Sequence, residues 1–547
     1  MTAGDVKDEA TGRSRPVCRA PTPRTTTPRL ALIVWALLAT TGAPSHAQPR
    51  HQPGPAAGEA KHTAPPQAAA APRGGKPDPA RIRQILLDAR RGKVKVYAHI
   101  IDLDTGAELV DVGADQKAYP ASVAKLFPTA ASTRALPADE TLVTRVLQSG
   151  RKQERVGRLA IVGAGDPSLT TNDLGALADA VAAAGVRQVD LLVIDHTLFD
   201  DKLPQGFDEK ATDANYRAPI DALMVDGGAV AFAVRPGPTP GAPVVVQVTP
   251  PSPAVQVVNQ ATTVKGNAFQ LSMLTRPAGK VTEVVVQGSL GHKRGVVGAG
   301  RKRVADAGFF AGELFRLQLQ NRGVKVGATR YEAAGGGMEV LAQHASGRLE
   351  SLIARCNKTS NNQYAEALFK LVGARRRPPP ATSASALAAA VEVLGPVGVD
   401  FSKLDLGNGS GLYHANRFPP RQVTQLLRGM AATPEGPRFQ ASLAIGGVDG
   451  TLRGRLGGAA TRGKVFAKTG TLDDVSGLAG YALGPSGRWA FAMFFNDIAG
   501  SAGVYRAVAD RVLVALLDPD STPSVSRSPP APKKVAAPKK RRRSHRR

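Results

Sequence analysis

A chain of 547 residues with 71 Lys/Arg against 44 Asp/Glu, a formal charge of +27, is long enough for two to four domains and a large buried core. Its two cysteines, Cys18 in a segment expected to be removed and Cys356, exclude an intramolecular disulfide, and no apolar run reaches the ~18 residues of a membrane span. The charge is uneven: residues 1–47 carry +3 and residues 531–547 carry +9, leaving +15 on a middle that favours anionic partners such as cell-wall polymers, anionic lipid or nucleic acid.

In chain order, five arginines from Arg13 to Arg29 precede a short apolar core, Leu30–Ala39, and a small-x-small site, Ser45-His46-Ala47. That is the layout of a secretory signal peptide over residues 1–47, with cleavage expected after Ala47. Residues 48–77, rich in Pro, Ala, Gly and Gln, read as a disordered linker. Ala80–Arg91 has helical spacing, with Ile82, Ile85 and Leu86 on one face. Lys95–Leu103 and Glu108–Val112 read as a strand and its return around Asp104-Thr105-Gly106. A helix starts after Tyr119-Pro120. Leu142–Leu198 is mixed, with a helix at Leu174–Ala184 and a strand at Val189–Ile194, and Ala229–Val326 is strand-rich. Helical spacing resumes over Arg348–Ala374, placing Cys356 on a helix as a small buried hydrophobe. Three strands (Lys464–Thr471, Gly477–Leu483, Trp489–Phe495) and a helix, Gly503–Leu517, close the ordered part. Residues 519–547 read as a disordered basic tail. Two strands from the start and three from the end predict one antiparallel sheet, with a helix from each terminus on one face and a helical block on the other. The fold class is therefore α+β. The expected division is one domain from 78–141 and 335–518, with one or two strand-rich domains inserted at 142–334.

Three motifs stand on these elements in a fixed order: Ser122-Val-Ala-Lys125, Ser360-Asn361-Asn362 and Lys468-Thr469-Gly470. Together they are the S-x-x-K, S-x-N and K-T-G set of serine enzymes that attack D-alanyl peptides and β-lactams. At the start of a helix, Lys125 falls one turn after Ser122 and its amine shares the face of the hydroxyl. Each motif is short enough to recur by chance. Ser149-Gly150-Arg151-Lys152 is a second S-x-x-K in a polar turn, and Lys358-Thr359-Ser360 imitates the third motif inside a helical stretch. By contrast, Lys468 ends a strand, where the small Gly470 would admit a close backbone approach.

The nine histidines show none of the H-x-H, H-x-x-x-H or H-E-x-x-H spacings, so no metal is expected. Gly458…Gly463-Lys464 lacks the Ser/Thr of a phosphate loop and precedes a strand. No cofactor is called for.

With these motifs, the chain over about residues 80–518 resembles the penicillin-binding D-alanyl-D-alanine carboxypeptidases/endopeptidases with large inserted domains (the DacB-like, low-molecular-mass class C type). Further segments that fit are Gly163–Leu169, Tyr216-Arg217-Ala218-Pro219, Asn408–Leu412 and Gly446–Leu452. The middle residue of the second motif is Asn361, where the family often has Asp. The resemblance implies a β-lactamase/DD-peptidase-like sheet and a periplasmic or envelope enzyme acting on peptidoglycan stem peptides, with β-lactams as inhibitors. It assigns Ser122 as nucleophile and Lys125 as a base kept neutral by burial and by the like charge of Lys468. Ser360 becomes a proton relay, and Asn362 orients Lys125 and the substrate amide. Lys468 and Thr469 hold the terminal carboxylate, Gly470 belongs to the substrate strand, and the backbone N–H groups of Ser122 and Thr471 receive the oxyanion. Gly409-Ser410-Gly411 and Asp449-Gly450 read as turns, and Asp166 as a capping or turn residue.

Two other readings stay open at this point. A β-lactamase shares the motifs, but the long insertion argues against it. A non-catalytic wall-binding protein would use the basic tail (Lys533, Lys534, Lys539–Arg543, Arg546, Arg547) on anionic envelope polymers or lipid, and export argues against nucleic acid.

Overall fold

The computed structural model describes residues 75–521. The expected signal peptide, and most of the expected linker and basic tail, lie outside these residues. Helix α1 (Pro79–Leu87) begins at an Asp78 N-cap and leads into β1 (Lys95–Asp102) and β2 (Glu108–Val112). A short 3-10 turn, Ala121–Lys125, runs into α2 (Leu126–Ala135).

The next segment builds β3 (Val143–Lys152), β4 (Arg155–Val162), α3 (Thr171–Ala183) and β5 (Gln188–Asp195). It continues through β6 (Ala229–Arg235), β7 (Val245–Thr249), β8 (Val255–Val264), β9 (Phe269–Ala278), β10 (Val281–Gly291) and β11 (Val297–Arg303). It ends with α4 (Ala307–Gln320), β12 (Lys325–Tyr331) and β13 (Glu339–Ala345). There follow α5 (Leu349–Thr359), α6 (Asn362–Ala374), α7 (Ser383–Leu394), the two-residue pair β14 (Asp405–Leu406) and β15 (Asn416–Arg417), α8 (Pro420–Ala431) and α9 (Gly436–Ser442). The last elements are β16 (Ala444–Ile445), β17 (Val465–Thr471), β18 (Ser476–Gly484), β19 (Gly487–Asn496) and α10 (Gly503–Leu517).

The terminal strands join as expected, in one sheet of order β16-β17-β18-β19-β1-β2. β1 pairs antiparallel with β19 from Lys95↔Asn496 to Asp102↔Trp489, so the first strand closes on the last. Alternation decides the faces. Val96, Ala98, Ile100, Phe491, Met493 and Phe495 face α1 and α10 in one core. Ile101, Ala490, Ala492 and Phe494 face the helical block of α2 and α5–α8 in another. The fold is mixed α+β. Among the described residues no helix is long and apolar enough to cross a membrane.

The inserted segment has its own core, built from a five-stranded sheet of order β12-β5-β4-β3-β13 and two three-stranded sheets, β8-β10-β9 and β11-β6-β7. One expectation needs correction here. The insertion runs past residue 334, because β13 pairs with β3 (Ala345↔Val143) and completes the inserted sheet. The strand-rich stretch also contains α4, whose Phe310, Leu314 and Phe315 are buried against that sheet.

Candidate active site

Ser122 is set by strain in front of it. Ala121 holds φ 49°, a left-handed conformation costly for a residue with a Cβ, and the chain then turns into the 3-10 segment. In 3-10 geometry side chains three apart eclipse, so Lys125 lies directly over Ser122 more tightly than the expected α-helical turn would place it. Lys125 Nζ is 3.0 Å from Ser122 Oγ.

The Lys125 ammonium group is completely buried and makes two further bonds, donating to Asn362 Oδ1 at 2.7 Å and to the Ser410 carbonyl at 2.6 Å. Burial lowers its pKa to about 8, opposed by charge interaction with Cys356 and Glu366. The expected repulsion between Lys125 and Lys468 is felt at Lys468. There, burial and then Lys125 push the amine well below the usual lysine range.

The second motif does not lie within one helix, as Arg348–Ala374 predicted. Ser360 takes φ 58°, ψ 36°, ending α5, and Asn361 N-caps α6 through its side chain on Tyr364 N at 3.1 Å. Asn and Asp cap equally well, which gives a physical reason for either at the middle of S-x-N. The break turns the Ser360 side chain toward the third motif: Lys468 Nζ donates to Ser360 Oγ at 2.8 Å and to the Thr469 carbonyl at 2.8 Å. Asn362 spends one amide hydrogen on the Tyr216 carbonyl, 3.0 Å away.

Lys468-Thr469-Gly470 runs along β17. β16 pairs with β17 only at Ala467 and Phe466, so among the described residues the edge from Lys468 to Thr471 has no strand beside it. A methyl group on Gly470 would collide with the Pro120 carbonyl and lie 3.3 Å from Ser122 N. The glycine therefore lets the nucleophile's own backbone approach β17 closely. Thr469 Oγ1 bonds Thr451 Oγ1 at 2.9 Å, and Thr471 Oγ1 accepts from Arg506 at 3.2 Å.

A cleft of about 350 Å³ opens over these groups, lined by Ser122, Ser360, Asn362, Tyr216, Tyr413 and Thr471 among others. His414 pins one wall, with Nδ1 2.9 Å from Glu209 and Nε2 3.1 Å from Asp474. Lys210 pairs with Asp473 at 2.6 Å.

All five expected catalytic side chains meet here. The decoys stay apart. Ser149 lies on β3, where side chains alternate and no S-x-x-K face forms. Lys358 is tied to Asp449 at 2.6 Å and to the Leu443 carbonyl at 2.9 Å. Asp166 serves a turn, accepting from Ser168 N at 2.8 Å. Cys356 is buried, its thiol pushed up to about 11 by burial.

Sequence reasoning missed Glu366 and the lysine contact of Ser410. The signal available was spacing: Glu366 follows Asn362 by four residues, one helical turn, on the face that Asn362 already marks.

Comparison with protein families matches residues 79–514 to the D-Ala-D-Ala carboxypeptidase 3 (S13) family. Among curated proteins, the D-alanyl-D-alanine carboxypeptidase of an Actinomadura species is 35% identical over 439 residues, 77% of this chain and 80% of that protein. The D-alanyl-D-alanine carboxypeptidase DacB of Haemophilus influenzae is 27% identical over 388 residues, 69% of this chain and 80% of that protein. Among solved structures, penicillin binding protein 4 (dacB) from Haemophilus influenzae superposes with a TM-score of 0.69 at 23% identity, covering 80% of this chain and 98% of that one. That likeness concerns the fold.

Proposed function

The chain belongs to the D-Ala-D-Ala carboxypeptidase 3 (S13) family and is a serine-type D-alanyl-D-alanine carboxypeptidase, and on that premise we propose how its residues divide the work. The observation that carries the assignment is the completely buried Lys125, 3.0 Å from Ser122 Oγ.

Ser122 attacks the carbonyl of the penultimate D-Ala of a peptidoglycan stem peptide. Its hydroxyl is a poor nucleophile until a base takes the proton. A neutral Lys125 has two N–H bonds and one lone pair. Asn362 Oδ1 and the Ser410 carbonyl occupy the donors, which leaves the lone pair for the Ser122 hydroxyl. Ser360, whose oxygen already accepts from Lys468, passes its own hydrogen to the leaving amine and is made good by the proton that Lys125 took from Ser122. The substrate backbone adds as a strand along the open edge of β17. The oxyanion falls to the N–H groups of Ser122 and Thr471. The terminal carboxylate falls to the hydroxyls of Thr469 and Thr471, with the Lys468 amine close behind them. Water then hydrolyses the acyl-enzyme. A β-lactam acylates Ser122 by the same attack and leaves slowly.

We assign residues 142–346 to the insertion and the flanking segments to the catalytic unit. The work is done in the bacterial envelope or periplasm, reached through the signal sequence at 1–47. The basic tail holds the enzyme near anionic wall polymers or lipid.

The test is incubation with a fluorescent penicillin, read by intact mass beside Ser122→Ala. A single adduct that the variant lacks is expected, together with D-Ala release from a stem peptide by the unaltered chain. Rapid hydrolysis of the penicillin without an adduct would favour a β-lactamase. An intact penicillin without an adduct would favour a wall-binding protein.

A further inference from the structure

Glu366 is among the most deeply enclosed charged groups of the chain, 1% exposed, and it touches neither Ser122 nor the cleft. Its two carboxylate oxygens each accept one backbone N–H from the same loop. Gly409 N donates to Oε2 at 3.1 Å, and Ser410 N to Oε1 at 2.7 Å. Both oxygens therefore face fixed backbone donors. Its pKa is raised by burial, opposed first by the Ser410 side chain and then by the two N–H groups and the charge of Lys125. Fixed donors on both oxygens favour the ionised carboxylate.

The loop so held is the one that supplies the Ser410 carbonyl to Lys125 at 2.6 Å. Asn408 closes it from the other side, its Oδ1 accepting from Gly411 N at 2.7 Å and Leu412 N at 3.3 Å. Glu366 and Asn362 lie one turn apart on α6. One helical face therefore sets both acceptors of the lysine, Asn362 directly and Ser410 through Glu366. Moving either acceptor rotates the amine, and with it the lone pair that faces Ser122.

We propose that Glu366 is a positioning residue for the acylation step: its carboxylate locks the Ser410 carbonyl against Lys125 and so aims the amine at Ser122. This rests on Lys125 being the base. Glu366 also adds a negative charge near the amine, so its removal favours the neutral lysine.

The test measures the acylation rate constant with a fluorescent penicillin across the pH range around 8, per folded molecule, for the full chain and for Glu366→Gln. Glutamine keeps one acceptor but sets an NH2 against the second backbone N–H. Its plateau rate is expected to fall at least about tenfold, with the acid limb moved to lower pH. A plateau at the unaltered value, or a lowered plateau with an unmoved limb, would overturn the proposal, the latter marking a merely structural residue. If Glu366→Gln does not fold, Asn408→Ala decides. It frees the same loop but leaves the charge, so a lower plateau with an unmoved limb supports the proposal, and an unchanged plateau overturns it. A Lys125→Ala variant that still acylates at the unaltered rate would instead sink the assignment of the base, which is a separate failure.

Discussion

The catalytic unit and the insertion bury charge in opposite ways. In the insertion the buried acids serve turns and caps: Asp195 accepts from Thr197 N at 3.0 Å and Ala334 N at 2.9 Å, and Asp221 from Leu223 N at 2.9 Å. Among the described residues the fully buried lysines, Lys125, Lys370 and Lys468, all lie in the catalytic unit. A carboxylate facing backbone N–H groups ties down a loop. An ammonium taken from water is driven toward the neutral amine, which is a base. The insertion gains a rigid frame from its buried charges, whereas the catalytic unit gains reactivity from two of its own.

Three substitutions would break or sharpen this contrast. The largest effect is expected at Lys125→Ala, where loss of the base should slow acylation by roughly 10²–10⁴. In the unaltered chain the rate should fall as pH drops through about 8, because protonation removes the lone pair. A flat profile down to acidic pH would place the base elsewhere. In the insertion, Phe310→Ala empties a fully buried site between α4 and the five-stranded sheet. It should cost about 3–5 kcal/mol by denaturant unfolding, while the folded fraction acylates at the unaltered rate. A rate loss there would mean the insertion tunes the site as well as framing it. The smallest effect belongs to Ser149→Ala on β3, expected within about 0.5 kcal/mol of the unaltered stability and with the adduct intact.

How far the sequence carried varies with the physics of each segment. β1 and β2 were legible because β-branched and aromatic residues recur in them around a clear turn, and the last three strands because tight turns bound them. The five catalytic side chains were legible because their spacing and order fix a chemistry. Helix α4 was not: its Gly-Phe-Phe-Ala-Gly run has poor helix propensity, and burial against the sheet overrides it. The break at Ser360 was missed because an apolar helical pattern runs through it on both sides. Only the Ser-Asn pair, a C-cap followed by an N-cap, gives it away. Glu366 was missed because its spacing from Asn362 marks a helical face but not that the carboxylate there will be almost wholly buried.

The pairing of β3 with β13 bears on how so long an excursion is tolerated at all. Val143 and Ala345 lie opposite one another, and just outside them Ser346 N bonds the Leu142 carbonyl at 2.9 Å while Leu349 N bonds that of Glu140 at 2.8 Å. The bond from Lys125 to Asn362 joins groups 237 positions apart in the chain. Closing an open coil of that length costs entropy that grows only logarithmically, about 0.6 kcal/mol per doubling. Here even that cost is borne inside the insertion. Once its own core forms, its two ends leave side by side, and the catalytic unit has only to close a hairpin-like stub.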